Sequence, residues 1–280
     1  MGFSTMKRRT PQINDLEQNI FELQYFGYTI LQNQVPDHAK YLKLIQEISA
    51  SQNSSNKSLH DERINDSLVY NLQNKHIDFI KLLSNTGVQS LLKHFLNDEY
   101  YQVQDSSLPN FILSYYNARS SGKFLDLHID SMVPAAGEFT WAMQAAFVLE
   151  DMDEKNGCTV VIPGSHLTGK YTNRQLNKRV PIIAKAGDVA IWDSRLWHGT
   201  LDNISGNSRW VLIATFTRWW IKQTMNMTVR LPEEIYGGLT NEEKSMLGFC
   251  SIPPVDEYGS IHTKKSHAEL KKFVRDYQLP

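Results

Sequence analysis

The sequence predicts an α+β chain whose core is all-β, a sandwich or jelly roll preceded by helices. Three observations predict it. Apolar residues recur at helical spacing through the first hundred or so positions. After Leu108-Pro109 the pattern changes to short runs rich in β-branched and aromatic residues, broken by Gly, Asp and Asn. Seven such runs follow one another without intervening helical stretches, which argues against alternating βαβ units.

The elements follow in order. Asn14-Asp15-Leu16-Glu17 has the form of a capping box with Asn in the cap, ahead of Ile20, Phe21, Leu23 and Phe26, and Gly27 is the expected stop. Tyr28 to Leu31 is short and β-like. Pro36-Asp37 opens a second helix with Tyr41, Leu44, Ile45 and Ile48 on one face, and the polar run 51–58 reads as a loop. From Asp66 to Asn97 the spacing is again helical. Strands are expected over 110–117, 125–131, 141–149, 159–162, 180–184, 188–192 and 209–217. Thr240-Asn241-Glu242-Glu243 is a second capping box, and a last helix is expected over His267 to Tyr277. The boundaries expected are one domain over 1–280, with a helical buttress at 1–108, the β core at 109–220 and a tail at 221–280.

Composition narrows the function. The chain has 280 residues, with 29 Lys plus Arg against 30 Asp plus Glu and a formal charge of −1, which excludes a nucleic-acid binder held by counterion release. Hydrophobic residues make up 41% and charged ones 21%, as in ordinary globular proteins, and no apolar run is long enough to suggest a membrane partner. Cys158 and Cys250 are too few for a disulfide framework. The basic start at Lys7-Arg8-Arg9 is followed by no apolar segment, so a cytoplasmic location is expected.

His128-Ile129-Asp130 is the first chemical motif. On a strand, positions i and i+2 face the same way, about 6.6 Å apart, so both side chains can reach one metal. A histidine and a carboxylate from one strand plus a histidine from a distant strand make the two-His-one-carboxylate triad suited to non-haem iron oxygenases. His76-Ile77-Asp78 repeats the tripeptide in a helical stretch, where i and i+2 diverge by about 200°, and reads as helix surface. His60-Asp61-Glu62 reads as polar loop.

Residues 187–200, Gly-Asp-Val-Ala-Ile-Trp-Asp-Ser-Arg-Leu-Trp-His-Gly-Thr, bring His198 to the end of a strand. Arg209 opens the next one, where an inward guanidinium can take a carboxylate bidentately; its natural ligand is the distal carboxylate of 2-oxoglutarate. Taken singly, His198 reads as a core histidine and Arg209 as a surface charge. The run Asn156-Gly157-Cys158-Thr159-Val160-Val161-Ile162-Pro163-Gly164-Ser165-His166 reverses both readings.

With that run the chain resembles the phytanoyl-CoA dioxygenase family of Fe(II)/2-oxoglutarate oxygenases. The resemblance is carried by the 128–130 motif, the 156–166 run, Gly187-Asp188, His198-Gly199-Thr200 with Arg209, Phe26 to Leu31, and Leu247-Gly248-Phe249 with Pro253-Pro254. It implies a double-stranded β-helix, the cupin-like jelly roll. It implies His128, Asp130 and His198 as iron ligands, Arg209 and Thr200 as 2-oxoglutarate contacts, and Asn117, Gln144 or Trp141 as further polar or aromatic contacts. His166 belongs to a turn that shapes the fold. The cofactors implied are Fe(II), 2-oxoglutarate and O2, with ascorbate as a reductant. The reaction implied is hydroxylation or desaturation of an unactivated C–H bond of a small metabolite or carrier-linked substrate, releasing succinate and CO2. A carboxylate at 130 argues against halogenation, which in related enzymes accompanies Gly or Ala there. Tyr115, Tyr116, Trp219 and Trp220 are pocket candidates, whereas Arg119 and Lys123 read as solvated loop cations. The alternatives are a jelly-roll metal-binding protein or a cupin-type enzyme without 2-oxoglutarate turnover.

Overall fold

The computed structural model describes residues 15–55, 67–97, 108–120, 124–171 and 178–251. Asn14, the 60–62 tripeptide, Lys123 and the helix expected over 267–277 lie outside them.

Helix α1, Leu16–Phe26, starts at Asp15, whose carboxylate accepts the Glu17 N–H, so the cap falls one residue later than the capping-box pattern predicts. It stops at Gly27 (φ +83°), which closes on the Glu22 and Leu23 carbonyls. A Cβ at Gly27 would stand 2.6 Å from His166 Nδ1, so glycine is required there on two counts. Strand β1, Tyr28–Leu31, follows as expected. Helix α2, His38–Ser55, runs through most of the segment expected to be loop.

The single helical span expected from 66 to 97 is instead four elements. Strand β2 (Ser67–Tyr70) comes first, then a 3-10 turn, helix α3 (Ile77–Leu83) and helix α4 (Thr86–Leu96). His76 is not on the helix surface: it caps α3, its ring accepting the Asp78 N–H.

The strands are β3 (Phe111–Ser120), β4 (Leu125–His128), β5 (Ala142–Val148), β6 (Thr159–Val161), β7 (Val180–Pro181), β8 (Val189–Asp193), β9 (His198–Thr200) and β10 (Trp210–Arg218). Seven of the eight fall on expected runs; the three-residue β9 is additional. Short helices α5 (Glu233–Gly237) and α6 (Asn241–Met246) follow, the latter with the expected capping box at Thr240 and Glu243.

Among the described residues all strand pairings are antiparallel. One sheet has the order β1-β8-β5-β10-β3-β2 and the other β4-β9-β6-β7, giving a jelly roll. Period-2 alternation divides the larger sheet. Met143, Ala145, Phe147, Ile191, Leu212, Ala214 and Phe216 face the helices, burying Leu31, Ile45, Ile80, Leu83 and Leu92 against them. Ala146, Val148, Ala190, Trp192 and Val211 face the smaller sheet, against Cys158, Val161 and Ile182. A register shift opposite Thr215/Phe216 leaves Ser114 as the extra residue of β3, so Leu113 and Tyr116 both face the helices.

The turn between β8 and β9 fixes the site. Asp193 accepts from the Arg195 amide (2.8 Å), Nε (3.0 Å) and Nη2 (2.7 Å), and Arg195 Nη1 donates to the Gly137 carbonyl (2.7 Å). Both side chains are buried. Asp193→Ala strands the guanidinium and is expected to lower unfolding free energy by about 3–5 kcal/mol in chemical denaturation. A loss below 1 kcal/mol shows that this pair does not organise the turn.

Candidate active site

His128 closes β4 and pairs across the ladder with His198, which opens β9. Asp130 is not on the strand, as the motif alone implies, but on the turn beyond it. Its N–H and that of Ser131 donate to the Ser194 carbonyl (2.9 and 3.1 Å), so the Asp193–Arg195 turn holds the carboxylate's backbone.

The three side chains converge. His198 Nε2 lies 3.3 Å from Asp130 Oδ2, His128 Nε2 lies 3.7 Å from Asp130 Oδ1, and one ligand atom from each residue falls within 4.8 Å of the others. Two ligands each about 2.1 Å from one ion and at right angles are about 3 Å apart, so the set fits one small divalent metal with little adjustment. Each ring is oriented by its other nitrogen: His128 Nδ1 lies 2.9 Å from the Asp126 carbonyl and His198 Nδ1 2.9 Å from that of Leu196. Those contacts put the protons on Nδ1 and leave both Nε2 lone pairs toward the metal position. Gln144 Nε2 donates to Asp130 Oδ2 (2.7 Å), orienting the carboxylate.

Electrostatics agree. Burial works against the Asp130 carboxylate, but His198, His128 and the Gln144 hydrogen bond outweigh it and hold its pKa below the usual value. Burial likewise opposes charge on His198, yet Asp130 and the Leu196 carbonyl raise its pKa. His128 is lowered by burial and by its histidine neighbour. A metal binds only neutral imidazole, so it must displace the proton His198 retains. Affinity for Ni(II) is therefore expected to fall about tenfold per pH unit below the His198 range and to level off above it. Calorimetric titration between pH 5.5 and 8.5 checks this; a flat profile shows that His198 does not bind the ion.

A cavity of about 210 Å³ joins this cluster to Arg209, Thr200, Asn117 and Gln144. Arg209, one residue ahead of β10, is buried, with Nη1 3.5 Å from Met152 Sδ and its N–H on Ser120 Oγ. Nearby Cys158 is pushed up to about 11 by burial, with the Arg209 charge opposing, so the thiol stays protonated. Asn117 Oδ1 and Gln144 Oε1 are buried without a partner.

Other expected residues lie elsewhere. Trp141 is outside the cavity wall, packed on Trp220 (6.3 Å) and Phe139 (6.1 Å). Tyr116 faces the helices, its hydroxyl donating to the Phe79 carbonyl. Neither Trp219 nor Trp220 lines the cavity, whereas Tyr115 does. Arg119, expected to be a solvated loop cation, stands on β3 and lines the cavity. Leu68 and Tyr70 of β2, which the helical reading of that segment hid, complete the wall. His166 is buried in a 3-10 turn with Nε2 3.1 Å from the Gln24 carbonyl, away from the ligand cluster.

Comparisons with known proteins bear on this geometry. The family profile described as phytanoyl-CoA dioxygenase matches residues 23–211, more than half of the chain. The dioxygenase af480 of Aspergillus fumigatus is 28% identical over 177 residues, covering 61% of this chain and 55% of that protein; the chain thus spans about half of that relative's length. Among solved structures, the non-haem α-ketoglutarate-dependent epimerase SnoN from nogalamycin biosynthesis superposes with a TM-score of 0.57 at 18% identity, covering 72% of this chain and 82% of SnoN. HygX from Streptomyces hygroscopicus, with nickel and 2-oxoglutarate bound, gives 0.58 at 12% identity, covering 74% and 88%. Among the described residues, no helix is long and apolar enough to cross a membrane.

Proposed function

Because the chain belongs to the phytanoyl-CoA dioxygenase family, we propose that it is an Fe(II)- and 2-oxoglutarate-dependent oxygenase hydroxylating an unactivated C–H bond of a small metabolite or carrier-linked substrate. One observation carries the reading: a two-His-one-carboxylate cluster shares a cavity with a buried arginine. Such a ligand set leaves positions for a chelating ketoacid and for dioxygen. With iron and 2-oxoglutarate held there, dioxygen would be the oxidant: the ketoacid would give up two electrons and leave as succinate and CO2, and the substrate C–H bond would give up the other two, one oxygen atom going to each.

The chain's own residues have definite tasks. His128 and His198 offer Nε2 and Asp130 one oxygen to the metal. Gln144 keeps that carboxylate from rotating. Arg209 neutralises the distal carboxylate of the ketoacid, and Thr200 offers a hydroxyl beside it. Ala146, Val211 and Ile213 line the wall with apolar surface that keeps bulk water from the reacting groups. The carboxylate at 130 occupies the position a halide needs, which favours hydroxylation over halogenation.

The test is anaerobic addition of Fe(II) and 2-oxoglutarate to the purified protein. The reading predicts a visible metal-to-ligand charge-transfer band. A metal-binding jelly roll or a cupin-type enzyme that does not use 2-oxoglutarate gives iron binding without the band, and that result overturns the proposal.

A further inference from the structure

Resting on the oxygenase reading, we propose that the primary substrate carries a hydroxyl group, which docks between Gln144 and Trp192 beside the metal position.

Two buried polar atoms of the cavity wall carry the argument. Gln144 is 1% exposed and Trp192 3%, and both line the cavity. Neither Gln144 Oε1 nor Trp192 Nε1 has a hydrogen-bond partner. Folded proteins leave few buried polar atoms unpaired, because each has given up its hydration for nothing.

Chemistry fixes which end of the Gln144 amide is the orphan. An ionised carboxylate only accepts, so Asp130 Oδ2 holds the amide nitrogen at 2.7 Å. The same nitrogen lies 3.4 Å from Ser194 Oγ. The other end, Oε1, is left as an acceptor. The indole N–H of Trp192 is a donor and nothing else.

Register sets the two residues side by side. Gln144 of β5 pairs with Trp192 of β8, and directly opposed residues carry their Cβ atoms about 4.5–5.5 Å apart on one face of a sheet. Both adjoin the metal ligands: Gln144 holds Asp130, and the centroid of the Trp192 ring lies 5.4 Å from that of His198.

The ketoacid cannot satisfy this pair. Doubly ionised 2-oxoglutarate brings acceptors and no donor, so it leaves Oε1 unpaired. An ether or ketone of the substrate accepts from Trp192 and fails Gln144. An ammonium group donates to Gln144 and fails Trp192. A hydroxyl serves both through one oxygen, giving its proton to Oε1 and a lone pair to the Nε1–H. Docked there, it holds its own carbon beside the metal position, so the C–H bond presented for oxidation is on that carbon or the next.

The test uses the full-length protein loaded with Zn(II), which is diamagnetic, and 2-oxoglutarate, with its indole N–H groups isotope-labelled and followed by NMR. The probes are cyclopentanol, cyclopentyl methyl ether and cyclopentylammonium. The chain has 6 tryptophans, and the indole signal lost in Trp192→Phe is that of Trp192. Cyclopentanol is expected to bind at least tenfold more tightly than either other probe, and to move the Trp192 indole proton downfield. Trp192→Phe is expected to remove the preference over the ammonium, and Gln144→Met, at saturating Zn(II), the preference over the ether. A merely structural role for either residue does not separate those two losses. In Trp192→Phe, 2-oxoglutarate affinity is expected to change by less than threefold, which also shows that the variant is folded. Equal binding of the three probes by the wild type, or binding of none, overturns the inference without recourse to a variant. So does a loss of 2-oxoglutarate affinity in Trp192→Phe as large as in Arg209→Gln, because Trp192 is then a cosubstrate residue. If 2-oxoglutarate fails to bind the wild type, the oxygenase reading falls and this inference with it. If 2-oxoglutarate binds and the alcohol is not preferred, only this inference falls.

Discussion

His198→Ala and Asp130→Ala are each expected to abolish the charge-transfer band and to lower Fe(II) affinity by more than about a hundredfold. The magnitude follows from position. Substituting a group that merely hydrogen-bonds a metal ligand costs about 10- to 100-fold in metal affinity. Removing the ligand itself removes a coordinate bond as well. Asp130 matters twice, because it also supplies the negative charge that offsets the metal in a partly buried site. Gln144→Ala is the matched control. It leaves all three ligands in place and frees the carboxylate from its 2.7 Å restraint, so its effect belongs in the lower range. Equilibrium dialysis with Fe(II) under argon, alongside the optical spectrum, separates these outcomes. A full-intensity band in His198→Ala removes that histidine from the ligand set.

Arg209→Gln is expected to weaken 2-oxoglutarate binding by about 100- to 1,000-fold while leaving metal affinity within about threefold. Truncating one partner of a buried, hydrogen-bonded charge pair costs about 2–5 kcal/mol. Arg209 is almost fully buried, so solvent screening does little to soften that loss. A second readout comes from stability. A ligand held at 100 times its dissociation constant stabilises the folded protein by about 2.7 kcal/mol. The wild type therefore gains thermal stability when 2-oxoglutarate is added to the Ni(II) form, and Arg209→Gln gains at most about 0.4 kcal/mol at the same concentration. Equal 2-oxoglutarate affinity in the two proteins places the distal carboxylate elsewhere.

Much of this was legible in the chain because strands alternate. Seven of the β-runs were evident from their residue types, and the inward set on β10 follows from Arg209 by counting in twos. The same arithmetic, pressed harder, separates candidates left side by side. Trp141 and Gln144 differ by an odd number of positions, so along one strand they cannot both face the cavity; Gln144 faces it. Tyr115, Asn117 and Arg119 share a parity and Tyr116 does not, which is why three of the four line the cavity.

What stayed hidden depended on partners distant in the chain. Ser67–Tyr70 is only four residues long and is a strand because β3 is beside it. Its local spacing merges into the helices that follow. His198 lies on a strand of three residues, held by neighbours from β4 and β6 on either side. Asp130 reaches the metal position from a turn pinned by the Ser194 carbonyl, a contact no local pattern encodes.

The strand that carries Leu68 and Tyr70 has a broader consequence. It joins the outer margin of the larger sheet and supplies no metal ligand. Evolution can therefore retailor that part of the cavity wall, residue by residue, while the candidate metal ligands stay as they are. Paralogues of this architecture should diverge first along that border, and exchanging it between them is the shortest route to a new molecular appetite on an old engine.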